Sequence, residues 1–209
     1  RGSAELELGD YESAKADFDK AISMDSKNYD RLIEIYEALA DYGYREVGQE
    51  YLQNVLNTDK KLDAYDSGRI YYYLGDYQKA YLALEEAKGK GGVDSYLYLG
   101  KAYAATGDYN YASSVYSNYL SKQGPDAEIY NQLGLCEMAK KDYQKALEAF
   151  QAGKQIEGNS LMQTLSFNEI VAYEYLQDYQ KAAVLLKAYL QNYPDDQAAI
   201  REQQFLSTR

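Results

Sequence analysis

A tyrosine placed just after a break in helical pattern returns along this chain at a nearly constant interval. That recurrence constrains the fold more than any other feature. It appears in ELGDYESAKADFDKA (Glu7 to Ala21), YLGDYQKAYLALEEA (Tyr73 to Ala87), ATGDYNYASSVYSNY (Ala105 to Tyr119), AKKDYQKALEAFQAG (Ala139 to Gly153) and YLQDYQKAAVLLKAY (Tyr175 to Tyr189). A worn version is ADYGYREVGQEYLQN (Ala40 to Asn54). The anchors are Tyr11, Tyr44, Tyr77, Tyr109, Tyr143 and Tyr179, at intervals of 33, 33, 32, 34 and 36 residues. A unit of this length cannot bury its apolar face alone, so units of this kind stack on their neighbours into one continuous core.

Each unit carries two helical patterns. In VDSYLYLGKAYAAT, Tyr96, Leu99, Gly100 and Tyr103 fall at i, i+3, i+4 and i+7, one face of an α-helix. After the break Tyr109, Ala112, Tyr116 and Tyr119 do the same. The break itself is turn chemistry. Gly75 and Gly107 tolerate positive φ where a first helix ends. Asp76, Asp108, Asp10, Asp142 and Asp178 can accept hydrogen bonds from the free N–H groups that open the second helix. A small residue follows the anchor by three (Ala14, Ala80, Ala112, Ala146, Ala182, with Val47 in the worn unit). A bulky one follows it by seven (Phe18, Tyr51, Leu84, Tyr116, Phe150, Leu186). Alternating small and large side chains let two helices interlock.

These residues resemble the tetratricopeptide repeat (TPR) family, helix–turn–helix units of about 34 residues. The best match is Tyr96, Leu99, Gly100, Tyr103, Gly107, Asp108, Tyr109, Ala112 and Tyr116, followed by Tyr130, Leu133, Gly134, Asp142, Tyr143, Ala146 and Phe150. The likeness covers residues 1–192, and a bacterial member is the expectation. The closing proline of the family pattern survives only at Pro194, and the unit around Tyr44 lacks the glycine–aspartate pair. The resemblance implies an all-α fold, a right-handed α-solenoid of stacked helix–turn–helix hairpins with a C-terminal capping helix. It makes 1–209 a single superhelical domain of about six repeats, the first truncated. The expected pairs are 1–8 with 11–24, 28–41 with 44–57, 61–74 with 77–88, 93–106 with 109–122, 127–140 with 143–156, and 161–176 with 179–192. A cap is expected at 195–207, and because the chain opens part-way through a repeat it reads as a piece of something longer.

Composition removes several classes of function. The net charge of −11 argues against a nucleic-acid partner, which needs clustered Lys and Arg. It equally disfavours anionic membranes. No apolar run approaches the length of a membrane span, so no direct membrane insertion is expected. There is no histidine and one cysteine, so the commonest general base is missing and no internal disulfide can form. No catalytic residues, metal ligands or cofactors are assigned, and the chain is read as not an enzyme. Cys136 stands where other units place Ala4, Ile70, Ala102 and Ala172, so a buried, inert thiol is expected. GKGG (Gly89 to Gly92) follows a helix and reads as a turn between repeats. Glu85-Glu86 and Asp195-Asp196 read as surface charge.

One stripe remains after the packing positions are assigned. Twelve, eight and five residues before each anchor lie Leu32, Tyr36, Leu39; Tyr65, Arg69, Tyr72; Leu97, Lys101, Ala104; Asn131, Leu135, Met138; and Phe167, Val171, Glu174. In stacks of the TPR kind this stripe lines the concave face. The expected peptide-binding groove is Tyr65, Arg69, Tyr72, Leu97, Lys101, Asn131, Leu135 and Phe167. Arg69 and Lys101 are expected to stand together and to take an acidic group of the ligand. The function read from this is a non-enzymatic scaffold holding a protein or peptide partner in the groove. The alternative is a self-association module, a homodimer or an assembly part of a larger, envelope-associated protein. The compartment stays open: soluble, cytoplasmic or exported, with an upstream signal removed.

Overall fold

The computed structural model describes residues 1–87 and 89–209. They form two compact units, Arg1–Gly91 and Gly92–Arg209. The first holds α1 (Gly2–Glu7), α2 (Tyr11–Met24), α3 (Tyr29–Asp41), α4 (Arg45–Thr58), α5 (Ala64–Tyr73) and α6 (Tyr77–Ala87). The second holds α7 (Val93–Ala105), α8 (Tyr109–Gln123), α9 (Ala127–Ala139), α10 (Tyr143–Lys154), α11 (Met162–Tyr175), α12 (Tyr179–Asn192) and α13 (Gln197–Leu206). Among the described residues there is no strand, and within each unit each helix packs chiefly on its neighbours in sequence. The expected end of α6 at residue 88 lies outside the described residues.

The breaks are hairpin turns, as their chemistry requires. Gly9, Gly75 and Gly107 have φ of 78°, 80° and 83°. The next residue caps the second helix: Asp10, Asp108, Asp142 and Asp178 accept from the backbone N–H three residues on, and Asp76 does so from Lys79. In two hairpins the glycine is replaced, yet the backbone is the same, with φ of 64° at Lys141 and 62° at Gln177. The turn geometry is therefore imposed by the packing of the hairpin, against the preference of those two side chains.

The interlock is tighter than the small-and-large pattern implies. Nine residues before the anchor stand Gly2, Gly68, Gly100 and Gly134, each against the bulky residue of its partner helix. A Cβ on Gly100 would come within 2.2 Å of the Tyr116 ring, and one on Gly134 within 2.3 Å of the Phe150 ring. Tyr116 and Phe150 are fully buried, so these rings cannot give way.

The unit around Tyr44 is built one residue out of register. Its positive-φ residue is Gly43 (φ 88°), its N-cap is Tyr44, without a side-chain cap bond, and its second helix begins at Arg45. Counting from Arg45, the small position is Gly48 and the bulky one Leu52, rather than Val47 and Tyr51. Gly48 and Leu52 are buried, and Val47 and Tyr51 are only partly so. The exchange is reciprocal: Tyr36 occupies the place that glycine holds in α1, α5, α7 and α9, and a Cβ on Gly48 would lie 2.9 Å from its ring. Leu32, Tyr36 and Leu39, expected on the ligand stripe, are core residues at 4%, 4% and 0% exposure. The one-residue shift rotates them about 100° around the helix, from the outer face to the inner one. Tyr44, displaced into the turn, stacks on Tyr11 at 4.1 Å.

The core is a ladder of small clusters. In the first unit Leu6, Ala14, Phe18, Ile35 and Leu39 form one, and Leu32, Ile33, Tyr36, Leu52, Val55 and Ile70 the next. In the second unit Ala146, Phe150, Leu165 and Ala172 precede Ile170, Ala182, Leu186, Tyr189, Ala199 and Leu206. Tyrosines tie the rungs with short, charge-assisted bonds: Tyr51 to Asp19 at 2.6 Å, Tyr73 to Glu37 at 2.6 Å and Tyr29 to Asp59 at 2.5 Å. Cys136 is 4% exposed, and burial, with Glu137 adding to it, pushes its thiol up to about 12. It therefore stays protonated at neutral pH.

Candidate functional site

Within each unit, the face formed by successive first helices is zipped by polar pairs. In the first unit, Arg69 of α5 bonds Asp30 of α3 at 2.6 Å and Asp66 of its own helix at 2.7 Å, with its guanidinium 4.6 Å from the Tyr65 ring centre. In the second, Lys101 of α7 pairs with Glu128 of α9 at 3.5 Å, and Asn168 of α11 donates to Asn131 of α9 at 2.9 Å. The zippers arise because acidic and amide residues in the first halves of the helices reach the middle of the neighbouring helix.

Each expected groove residue has a definite place. Arg69 is 7% exposed. Burial works against its charge, but Asp30, the Tyr65 hydroxyl and Asp66 outweigh that cost and hold the guanidinium more firmly protonated than an ordinary arginine. Its Nε has no hydrogen-bond partner. Tyr65 lies under it, half-buried. Tyr72 packs edge-on to Tyr73 and tilted to Tyr77, at 5.5 and 5.7 Å. Leu97 and Asn131 are buried at 9% and 5%. Phe167 leans onto Tyr189 of α12 at 5.7 Å. Leu135 is 42% exposed, and Lys101 is half-buried. Arg69 and Lys101 fall in different compact units, and each has its counter-ion inside its own unit.

The charge of the stripe therefore differs from the sequence expectation. The two cations are spent on internal acids. On α3, Asp30, Glu34, Glu37 and Asp41 recur at i, i+4, i+7 and i+11 and are exposed. The Asp30 side chain keeps 75% exposure although it binds Arg69. Sequence reasoning missed Asp30, Glu128 and Asn168. The available signal was a polar residue early in each first helix, but nothing in the local pattern names its partner some 27 to 39 residues away.

Among the described residues no three His, Cys, Asp or Glu side chains are grouped to hold a metal ion. An open hollow of about 620 Å³ is lined by Glu46, Gln49, Gln53 and Asn57 of α4 with Tyr71, Asp76 and Lys79, and shares no residue with the stripe. Among the described residues no helix is long and apolar enough to cross a membrane.

Tetratricopeptide repeat profiles match residues 1–28, 97–160 and 167–196. No match is found among the curated proteins. Solved structures share the fold at low identity. A tetratricopeptide repeat protein from Parabacteroides merdae is 15% identical with a TM-score of 0.70, over 100% of this chain and 82% of that one. PilW, described as a widely conserved type IV pilus biogenesis factor, is 16% identical at 0.70, over 98% and 94%. YrrB, described as a TPR protein with an unusual peptide-binding site, is 21% identical at 0.58, over 90% and 97%. The stacked hairpins of each unit are thus of the α-solenoid class.

Proposed function

We propose, from the premise that this chain belongs to the tetratricopeptide repeat family, that it is a non-enzymatic interaction module holding a segment of a partner protein along the first-helix face. The ion pair of Arg69 with Asp30 carries the reading of what that segment is. It removes the stripe's buried cation from use and leaves the α3 edge acidic beside Tyr65 and Tyr72. A segment with basic residues between apolar anchors complements that edge. An acidic segment would meet carboxylates on α3 and neutralised cations elsewhere. Tyrosine is typical of residues that dominate binding energy. YrrB, described as having an unusual peptide-binding site, supplies the analogy for a peptide ligand.

The test is fluorescence polarisation with a panel of labelled peptides of equal apolar content carrying basic, neutral or acidic residues. The basic set is expected to bind most tightly. Glu34→Lys with Asp41→Lys is expected to weaken it about tenfold, the scale of one to two lost charge-assisted contacts. Tightest binding by the acidic set, or indifference to the charge reversal, would overturn this reading. The second reading, self-association, predicts a dimer in light scattering that the bound peptide does not disperse.

A further inference from the structure

We propose that the joint of α10, α11 and α12 holds a second site, away from the ligand stripe, for a free apolar amino acid. Its carboxylate would meet Lys154, its ammonium Glu169, and its side chain the space between α11 and α12. The starting point is a break in the repeat. Lys154 stands eleven residues after its anchor and Glu169 ten before the next, and the two are bonded at 2.5 Å across the joint. At the other joints inside the two compact units, with the worn unit counted from Arg45, the same places hold Ile22 with Ile35, Leu56 with Ser67, and Leu120 with Leu133. None of these residues is charged. Burying an ion pair where the fold accepts aliphatic side chains brings little or no stability. The pair is nevertheless built with care. Glu169 is 6% exposed, and its second oxygen accepts from the Gln151 amide at 2.8 Å. That amide also donates to the Tyr173 hydroxyl at 3.2 Å.

The pair also opens onto space. Lys154 and Glu169 are shared by two adjoining hollows of about 240 and 390 Å³, neither of which contains a stripe residue. Together they reach the size of small-molecule sites. The smaller one runs between α11 and α12 over Met162, Ile170 and Leu185 and the rings of Tyr189 and Tyr193. Those two rings hold each other at 4.8 Å, and the Tyr189 hydroxyl is fixed on Asp196. Opposite charges side by side, next to an apolar hollow, match a zwitterion with an apolar side chain. A lysine ammonium has three N–H donors; Lys154 gives one to Glu169, which leaves two for a carboxylate. A carboxylate has about four lone-pair sites, and Glu169 uses two, which leaves room for an ammonium. Neither contact requires the pair to break. A ligand with a carboxylate alone would be repelled by Glu169, and one with an ammonium alone by Lys154. The amino acid, carrying both, satisfies both.

Isothermal titration calorimetry on the whole chain tests this with L-leucine and L-phenylalanine. The controls are N-acetyl-L-leucine, which lacks the ammonium, L-leucinamide, which lacks the carboxylate, and glycine, which lacks the side chain. Leucine or phenylalanine is expected to bind, and each control to bind at least about tenfold more weakly, the scale of one lost charge-assisted contact or one buried side chain. Lys154→Leu with Glu169→Leu copies the Leu120 and Leu133 arrangement. That variant is expected to keep the wild-type melting temperature and to lose at least about tenfold in affinity. Should it fail to fold, Glu169→Gln, which keeps the shape and removes the charge, carries the same expectation for affinity. No binding of either amino acid up to millimolar concentration would overturn the proposal. So would a control that matches leucine, or binding that survives the loss of the charged pair.

Discussion

The hairpins α3–α4 and α7–α8 solve the same packing problem in opposite ways. In α7–α8 the first helix offers a glycine, Gly100, and the second fills the space with Tyr116. In α3–α4 the first helix supplies the large ring, Tyr36, and the second withdraws to Gly48. Both pairs of helices come close, and both leave no room for one more methyl group. In these two hairpins a ring on one side meets a glycine on the other, whichever helix carries which. The sequence motif describes only one of these two solutions, which is why the α3–α4 unit looks worn while its core is as closed as the others.

The largest effect is expected where the ring has nowhere to go. Gly100→Val places a branched side chain against the fully buried Tyr116, and a loss of about 3 kcal/mol or more is expected in urea unfolding followed by circular dichroism. A loss under 1 kcal/mol would mean that the α7–α8 contact is looser than its geometry. A smaller effect, about 1–2 kcal/mol, is expected for Gly48→Ala, because overpacking against Tyr36 is partly offset by alanine's better helix propensity. The same substitution in a Tyr36→Ala background should turn neutral or stabilising. Additive behaviour of the two changes would separate Tyr36 from Gly48 and end the idea of a reciprocal exchange.

The smallest expected effects lie in the turns. Gly107 and Lys141 share one backbone conformation, with φ of 83° and 64°. A Cβ on Gly107 would touch nothing, so Gly107→Ala costs only the left-handed strain, about 1 kcal/mol. Lys141→Gly should relieve a similar strain and gain up to about 1 kcal/mol, reduced by the extra freedom of glycine in the unfolded chain. If both changes lower the melting temperature, the Lys141 side chain contributes a contact that outweighs its backbone.

The contrast between the hairpins also explains what could be read from the sequence alone. Turn, cap and helix period are local, so Gly75-Asp76 and Gly107-Asp108 declared their hairpins, and the buried faces of α7 and α8 followed from spacing. The same rule misled where the glycine moved by one residue. Aligning on Tyr44 placed Leu32, Tyr36 and Leu39 on the ligand stripe, because a tyrosine looked like an anchor when it had become an N-cap. The position of Gly43 carried the correct register.

The stripe was legible as positions and illegible as chemistry. Arg69 and Lys101 stand where the period puts them, but their charge is consumed by Asp30, Asp66 and Glu128. Such partnerships depend on which side chain of the next helix lies opposite, and 27 to 39 residues separate the long-range partners.

By itself, then, the sequence determined the all-α class, the hairpins and their turns, because these rest on backbone propensities and on interactions within about four residues. Tertiary structure alone decided that Gly48 answers Tyr36 and that the buried arginine has no charge to spare. Those outcomes depend on close approach of segments distant in the chain, where a shift of one residue reverses which face is buried and which charge is free.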